Sequence, residues 1–317
     1  MGDMTTHGSG IAVGIDVGGT KTAVGLVDLE DGSILDLREI DSHAERGADE
    51  LHRRLRPVVA EVVAGSATPP DGAGVVVPEL VSPSGEVLTD VVIPGMAGDL
   101  ASAWADLGVR AVEADVRGAA LAEGCFGHGS GLASFAYVSV GTGISCCFVL
   151  EGRPWAGANG AAILLGSGML VEGSGAGQDS DERSLEAFAG GPALVERYRD
   201  GGGVATSARD VLERCADDPS ALDVVTSAGS ALGRGIAELV NLLDPAAVVL
   251  GGGLGSAEGP YRDAAIEAAR AAIWADAARA VPILPSAIGP HAGVVGAALV
   301  SRSGFDGADP PGAPPSG

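Results

Sequence analysis

The stretch Ile11–Asp28 reads IAVGIDVGGTKTAVGLVD and consists of two apolar runs joined by a glycine-rich turn. This pattern predicts a β-hairpin with buried strands. Two adjacent glycines let backbone N–H groups approach an anionic ligand closely, because no Cβ atom stands in the way. The turn therefore predicts a phosphate-binding site, whose candidate residues are Gly18, Gly19, Thr20 and Lys21.

Two side chains strengthen this prediction. Lys21 is the only lysine among the 19 lysines and arginines of the chain, and it stands in a turn shaped for phosphate. Asp16, near the end of the first apolar run, offers a carboxylate that could hold Mg²⁺ directly or through water. The simpler interpretation is an ordinary hairpin turn with an incidental lysine, because a GGTK turn by itself is only moderately specific.

Length and composition limit the classes of protein to which this chain can belong. At 317 residues the chain can form two domains, each with a sizeable core. The net charge of −23 argues against nucleic acid or an anionic membrane as partner, since both need a basic face, and it otherwise serves solubility. No apolar run approaches the roughly 20 residues of a membrane-spanning helix, and the start MGDMTTHGSG lacks the features of a secretory signal. We therefore expect a cytoplasmic protein.

A second glycine turn lies near the middle of the chain. Residues 135–150 read FAYVSVGTGISCCFVL, which again predicts a strand, a turn and a strand, with Gly141, Thr142 and Gly143 in the turn. Two such turns facing each other across a cleft would hold a polyphosphate from both sides. This repetition suggests a duplicated, actin-like nucleotide-binding fold of the α/β class.

Two further strand ends are candidates for the site. The run VRAVEAD is predicted as a strand that ends at Asp115 and leads into a helix, and such junctions often carry catalytic groups in α/β folds. The run AAVVLGGGLG predicts a buried strand followed by Gly251, Gly252 and Gly253, against which the flat ring of an adenine or a ribose could lie. A tight turn from strand to helix explains these three glycines equally well.

Together these motifs resemble the ROK family of repressors, open reading frames and sugar kinases, over about residues 11–302. The segments that carry the resemblance are DVGGTK (16–21), EAD (113–115), VGTG (140–143), LEAFAGGPAL (185–194), DPAAVVLGGG (244–253) and HAGVVGAAL (291–299). The resemblance implies a two-lobe actin/hexokinase-like fold, also called ribonuclease H-like, that closes over ATP and a sugar. It also implies a homodimer.

The resemblance further implies where the lobes begin and end. The small lobe would comprise residues 11–115 with about 291–302, and the large lobe residues 116–290. We expect the two ends of the chain, residues 1–10 and 303–317, to be disordered, because the second is rich in proline and glycine.

The resemblance assigns a catalytic role to Asp115, which falls on the position of the family's general base. A carboxylate there would accept the proton of the attacking hydroxyl, while Mg²⁺ and N–H donors stabilise the transferred phosphoryl group. A lone aspartate at the end of a strand is otherwise often a turn cap. We predict that Lys21 and the two glycine turns bind the phosphates of ATP, with Asp16 acting on Mg²⁺.

The sugar-binding residues of the family are largely replaced in this chain. Ala114 stands in place of the asparagine of an Asn-Asp pair, Leu164 in place of a sugar-binding glutamate, and Ser167 in place of a histidine that would touch sugar and zinc. Near the positions of the family's zinc-binding cysteines stand Gly177, Asp179 and Ser184, so we expect no structural zinc. The residues that we expect to face the acceptor are Glu186, Ser167, Leu164, Asn159 and Glu79.

The leading hypothesis is an ATP-dependent kinase that phosphorylates a hydroxyl of a modified sugar, an amino-sugar, a deoxy-sugar or a C7-cyclitol. Ordinary glucose is disfavoured, because an apolar Leu164 would leave a glucose hydroxyl unpaired at a cost of about 1–3 kcal/mol. The sequence names neither the acceptor nor the hydroxyl that is phosphorylated.

Three other hypotheses remain. The chain could be a catalytically silent relative that binds a nucleotide or a small ligand as a sensor or scaffold. It could be an actin-fold kinase or ATPase outside the family, since their first loop also reads GGTKT. The repressor branch needs a helix-turn-helix before the first strand, and we expect no room for one in residues 1–10.

Overall fold

The computed structural model describes residues 10–172 and 182–302. The ends that we expect to be disordered therefore lie outside the described residues, apart from Gly10, and so do Gly177 and Asp179. Among the described residues, no helix is both long and apolar enough to cross a lipid bilayer.

The described chain consists of strands and helices in mixed order. The strands are β1 (Ile11–Val17), β2 (Lys21–Asp28), β3 (Ile34–Asp41), β4 (Ala73–Val77), β5 (Val109–Ala114), β6 (Ser134–Val140), β7 (Ile144–Leu150), β8 (Arg153–Pro154), β9 (Leu170–Glu172), β10 (Glu182–Ser184), β11 (Val248–Gly251) and β12 (Ile283–Pro285). The α-helices are α1 (Ala48–Ala64), α2 (Leu100–Ala103), α3 (Asp115–Phe126), α4 (Leu165–Gly168), α5 (Leu185–Ala189), α6 (Gly191–Asp200), α7 (Ala208–Arg214), α8 (Pro219–Leu243), α9 (Gly252–Gly255), α10 (Pro260–Ala272) and α11 (Ala292–Val300).

The described residues divide into two compact units. The first comprises residues 10–122, 156–161 and 291–302, and the second comprises 123–155, 162–172 and 182–290. The division falls inside α3, whereas the sequence predicts it at Asp115. The reason is that Gly118 packs against Gly296 of the first unit, while Glu123 accepts hydrogen bonds from Ser286 and the Ile288 N–H of the second.

The first unit contains a five-stranded sheet with the order β3-β2-β1-β4-β5. Strand β2 is antiparallel to both of its neighbours, β1 and β3, whereas β4 and β5 run parallel to β1. The carboxyl ends of β1, β4 and β5 therefore lie at the same edge of the sheet. This edge carries Asp16, Glu79 and Asp115 at or just after the ends of the three strands.

A row of glycines lets α11 lie directly on this sheet. Gly14 pairs with Gly25 on β2 and with Gly74 on β4. A Cβ atom on Gly14 would overlap the Val294 carbonyl oxygen, and one on Gly74 would overlap that of Ala297. Every residue of α11 is buried. The glycines inside these strands therefore serve close packing between a helix and a sheet.

Helix α1 contains Pro57 in its interior, and the sequence predicts that this proline kinks or divides the helix. The helix is continuous from Ala48 to Ala64, so it is not divided. Its apolar residues Leu51, Leu55, Val59 and Val62 are buried, and this burial offsets the hydrogen bond that a proline removes.

The second unit contains a five-stranded sheet with the order β12-β11-β6-β7-β8. Its hairpin β6–β7 is antiparallel, and β11 and β12 run parallel to β6. Starting from the hairpin, the arrangement matches that of the first sheet strand for strand. The repetition predicted from the two glycine turns is thus present in the sheet topology. The long helix α8 packs against α10, because Gly229 and Gly233 let the two backbones approach.

Candidate active site

The first glycine turn joins β1 to β2 and is held in place by Ser42. The Gly18 N–H donates to the Lys21 carbonyl at 3.0 Å, and the buried Ser42 donates its hydroxyl to the Gly18 carbonyl at 2.6 Å and its N–H to the Thr20 carbonyl at 2.7 Å. Within the described residues, the N–H groups of Gly19 and Thr20 donate to no other group. The turn is therefore fixed in shape and keeps two N–H donors available for an anion.

Lys21 extends from this turn into solvent. Its side chain is 64% exposed, and its Nζ lies 3.5 Å from Glu39 Oε2. Such an exposed and long ion pair is worth little, so the ammonium group can exchange Glu39 for a phosphate at small cost.

Asp16 and Asp115 form a pair of partly buried carboxyl groups at the shared edge of the first sheet. Burial, together with the charge of Asp115, raises the pKa of Asp16 to about 7. Burial also raises the pKa of Asp115 to about 6, against the opposing effects of the Val116 N–H and the Arg117 charge. The structure thus brings together the predicted magnesium ligand and the predicted base.

The surroundings of Asp16 fit a cation. Within the described residues its carboxylate accepts no hydrogen bond, and a Cβ atom on Gly293 would overlap its oxygens. Carboxylate oxygens are the ligands that Mg²⁺ prefers, and a cation there would lower the raised pKa values of both aspartates. No group of three or more histidine, cysteine or acidic side chains arranged for a metal occurs in the described part of the chain.

Asp115 is the first residue of α3, directly after β5. Its Oδ1 accepts the Val116 N–H at 2.6 Å. Two residues later, Arg117 is fully buried and ion-paired with the buried Glu113. The Arg117 guanidinium also donates to the carbonyls of Gly160 at 3.0 Å and Val81 at 2.6 Å.

The buried Arg117 connects three segments of the chain near Asp115, the predicted base. It joins the start of α3 to residues near 81 and to the segment 156–161. Sequence reasoning missed Arg117, because Glu113 lies in β5 and Arg117 in α3, so that no single helical or strand pattern marks the two as a pair.

The second glycine turn joins β6 to β7. The Gly141 N–H donates to the Gly143 carbonyl at 2.9 Å, and the Gly141 carbonyl accepts the N–H of Gly191, the first residue of α6, at 2.8 Å. Within the described residues, the N–H groups of Thr142 and Gly143 donate to no other group. This turn therefore also presents free N–H donors.

Glu186 is attached to the second turn. Its Oε2 accepts the Ile144 N–H at 2.8 Å, and a Cβ atom on Gly143 would lie 2.6 Å from the same oxygen. The sequence predicts that Glu186 contacts the acceptor, whereas the contact found in this unit is with the backbone of the turn. Helix α4 packs beside it, because Gly166 lies against the Ile144 carbonyl.

The three glycines 251–253, after β11, do not all have the same role. A Cβ atom on Gly251 would overlap the Tyr137 hydroxyl, and one on Gly252, whose φ is +74°, would overlap the Val140 carbonyl. Gly253 has open space around it. The first two glycines therefore serve the turn from β11 to α9, and only Gly253 keeps space that a nucleotide ring could use.

Glu79 requires a correction. The sequence predicts that it faces the acceptor, but its carboxylate is buried and fully occupied. Its Oε1 accepts the N–H groups of Val92 at 2.6 Å and Ile93 at 3.0 Å, and its Oε2 accepts the Val91 N–H at 3.1 Å and the Thr89 hydroxyl at 2.6 Å. Four donors leave no lone pair for a substrate, so the role of Glu79 is structural.

The other predicted acceptor residues are accessible. Asn159 is exposed in the segment 156–161 of the first unit. In the second unit, Ser167 is exposed on α4, and the Leu164 side chain, 44% exposed, precedes that helix. Ser184, one of the positions compared with zinc ligands, instead caps α5 by accepting the Ala187 N–H.

Comparison with known proteins provides independent evidence for the fold and the family of this chain. Residues 12–303 match the family model described as ROK family. A glucokinase of Thermotoga maritima is 27% identical over 93% of this chain and 95% of its own, and a kanosamine kinase of Amycolatopsis mediterranei is 29% identical over 76% of this chain and 80% of its own. A solved ROK family glucokinase from Streptomyces griseus, in complex with glucose and AMPPNP, has a TM-score of 0.79 at 27% identity and covers 93% of this chain and 100% of that one.

The match extends through both glycine turns and through the strand ends that carry Asp16 and Asp115. The similarity to the solved glucokinase confirms the predicted α/β fold of the actin/hexokinase type. On these grounds, the chain belongs to the ROK family.

Proposed function

We propose that this protein is an ATP-dependent kinase that transfers the γ-phosphoryl group to a hydroxyl of a modified sugar or a sugar-like alcohol. The observation that carries the proposal is the position of Asp115, half-buried at the end of β5, with a pKa raised to about 6. A general base works best when its pKa lies near the working pH. Sugar kinases among the relatives support the same reaction class.

In the proposed reaction, the Asp115 carboxylate accepts the proton of the acceptor hydroxyl as that oxygen attacks the γ-phosphorus. The bond from phosphorus to the leaving ADP oxygen breaks, and the phosphoryl group passes to the acceptor oxygen. The Val116 N–H on Oδ1 of Asp115 orients the carboxylate. The buried pair of Glu113 and Arg117 keeps the start of α3 in place.

The phosphates are assigned to the glycine turns. The free N–H groups of Gly19 and Thr20, and of Thr142 and Gly143 in the second unit, are donors of the kind that bind phosphate oxygens. Lys21 adds a mobile positive charge. Asp16 would hold Mg²⁺, which when bound neutralises charge on the phosphate oxygens.

We propose a modified sugar, such as an amino-sugar or a C7-cyclitol, rather than ordinary glucose as the acceptor. In this chain Leu164 and Ser167 replace polar residues that the family uses for sugar, and Glu79 is occupied by backbone donors. A hydroxyl that meets an apolar side chain loses its hydrogen bonds to water without a replacement. The kanosamine kinase among the relatives shows that an amino-sugar kinase exists among similar chains.

The test is a measurement of ADP release from ATP and Mg²⁺ with a panel of acceptors. The panel contains glucose, amino-sugars, N-acetylated and deoxy-sugars and cyclitols, and phosphorylation is checked by mass spectrometry. We expect turnover with at least one modified sugar and weaker turnover with glucose. Nucleotide binding without turnover on any acceptor would instead support the sensor or scaffold hypothesis.

A homodimer forms part of the proposal, since the family resemblance implies one. Light scattering coupled to gel filtration measures the mass in solution. A mass equal to one chain of 31.1 kDa at assay concentration would contradict it.

A further inference from the structure

The loop that Glu79 holds presents two exposed apolar side chains. We call residues 89–93 the valine loop. Its backbone N–H groups at Val91, Val92 and Ile93 all point to the Glu79 carboxylate, and Ile93 is buried. Val91 and Val92 face outward, with 85% and 39% of their surface exposed. The loop thus turns its polar backbone inward and its valines outward.

The valine loop lies at the edge of the sheet that carries the candidate site. Strand β4 lies between β1 and β5, with Val76 paired to Asp16 and Val77 paired to Ala114. Glu79, whose carboxylate binds the valine loop, follows β4 by two residues. It therefore lies between the strand ends that carry Asp16 and Asp115.

One contact fixes the loop next to the phosphate-binding turn. A Cβ atom built on Gly19 would lie 3.1 Å from Val92 Cγ1. Val92 therefore borders the backbone that we assign to phosphate, and a side chain at position 19 would press on it. Under the proposed function, an acceptor hydroxyl that attacks beside this turn would lie near Val92 and the adjacent Val91.

The loop contains one exposed charged side chain besides the valines. Asp90 is exposed, and its Oδ2 accepts the Gly95 N–H at 3.4 Å. Gly95 follows the buried Ile93 by two residues, so Asp90 is engaged with the chain beyond the loop. Thr89 donates its hydroxyl to Glu79. Val92, which adjoins the turn, and the neighbouring Val91 therefore offer no hydrogen-bonding side chain.

We propose that the acceptor turns a face poor in hydrogen-bonding groups, a deoxygenated or methylated carbon, towards Val91 and Val92, and that these two residues determine specificity. The inference rests on the proposed kinase function and narrows its substrate class. Methyl groups of valine gain from excluding water only when the opposing surface is apolar. A hydroxyl placed there would be desolvated without a partner.

The experiment compares matched pairs of acceptors. Each pair consists of a sugar and its monodeoxy or O-methyl derivative at one ring position, and ADP release is measured at saturating ATP. At one position, we expect the derivative to exceed its parent in kcat/KM by about 10- to 100-fold, the range that an apolar contact supplies.

Three variants assign the effect to residues. Val91→Thr and Val92→Thr keep the shape of the side chain and add a hydroxyl, so we expect each to reduce the preference for the derivative. Val63→Thr, on the partly exposed face of α1, is the matched control and leaves the ratio unchanged.

The inference is overturned if the parent sugar is preferred at every ring position. It is also overturned if the threonine variants change the KM for ATP and leave the ratio between derivative and parent unaltered. Absence of ADP release with every compound would refute the proposed function itself, and the inference with it.

Discussion

The two glycine turns close equivalent hairpins in sheets of equivalent order, yet the carboxyl groups beside them are used differently. In the first unit, Asp16 accepts no hydrogen bond from the described residues, and Asp115 accepts only the adjacent Val116 N–H. In the second unit, Glu186 accepts the Ile144 N–H and packs on Gly143. The hairpin of the first unit thus lies beside two carboxyl groups with few or no hydrogen-bond donors. The equivalent hairpin of the second unit lies beside a carboxyl group that holds its backbone in place.

The physical cause of this difference is hydrogen bonding. In the first unit burial dominates: together with the charge of Asp115 it raises the pKa of Asp16 to about 7, and it raises the pKa of Asp115 to about 6 against the opposing effect of the single Val116 N–H. A carboxylate that accepts a backbone N–H is stabilised as the anion, and it restrains the backbone that donates. The comparison leads to four predictions, in order of decreasing effect.

The largest effect is expected for Asp115→Asn, which removes the proposed base and keeps the shape of the side chain. We expect kcat to fall by about 100- to 10,000-fold, since this is what a general base contributes. Titration calorimetry should show ATP binding at an affinity close to that of the unaltered protein. Asp263→Asn, an exposed position on α10, is the control, and full activity of Asp115→Asn would contradict the assignment.

The next effect concerns the buried arginine that supports the first unit. Arg117→Met leaves the buried Glu113 carboxylate without its partner, so the free energy of unfolding should fall by about 3–5 kcal/mol. Urea denaturation measures this change. Combining Arg117→Met with Glu113→Leu should restore part of the loss, because no unpaired charge then remains. A double variant less stable than both single variants would show that the pair is not the source of the effect.

In the second unit, Glu186→Gln tests whether the carboxylate serves the turn or the acceptor. Loss of a charge-assisted hydrogen bond to the Ile144 N–H should loosen residues 141–144 and raise the KM for ATP by about 10-fold. The KM for the acceptor should change less. Glu196→Gln, on α6, serves as the control. A rise confined to the acceptor KM would restore the role that the sequence predicts for Glu186.

The smallest effect is a dependence on pH. With Asp115 as the proposed base, kcat/KM should fall by about 10-fold for each pH unit below about 6. Stability should change in the opposite direction. Asp16 and Asp115 bind protons more tightly in the folded chain than in the unfolded chain, so their contribution is fully present below pH about 4 and is lost as the pH rises through about 6 to 7.

A pH titration of kcat/KM, together with urea denaturation of the unaltered protein and of Asp16→Asn, measures both trends. In the variant, the decrease in the free energy of unfolding between pH 4 and 7 should be smaller. An equal decrease in both proteins would show that Asp16 does not contribute.

Local sequence was sufficient for the hairpins and their turns. Apolar runs on either side of Gly18–Gly19 and of Gly141–Gly143 specify strand, turn and strand without help from distant residues. The strand-to-helix junction at Asp115 was also predictable, because an apolar strand and an apolar helix meet at one residue.

Side-chain roles were predicted less well where several loops meet. The family resemblance predicts Glu79 at the acceptor, but which groups surround this carboxylate depends on a loop that returns at residues 89–93. Arg117 was missed because its partners at Gly160 and Val81 are remote along the chain. No local pattern marks carbonyls that will meet at one guanidinium.

The sequence by itself determined the two hairpins, their glycine turns and the family to which the chain belongs, because each depends on motifs made of residues close together in the chain. Only the tertiary structure decided which glycines admit α11 to the sheet, which carboxylates accept backbone hydrogen bonds, and that Val92 borders the first glycine turn. These properties depend on distances between groups that are far apart in the sequence and on how deeply those groups are buried. Their hydrogen bonds and their loss of water form only when the chain folds.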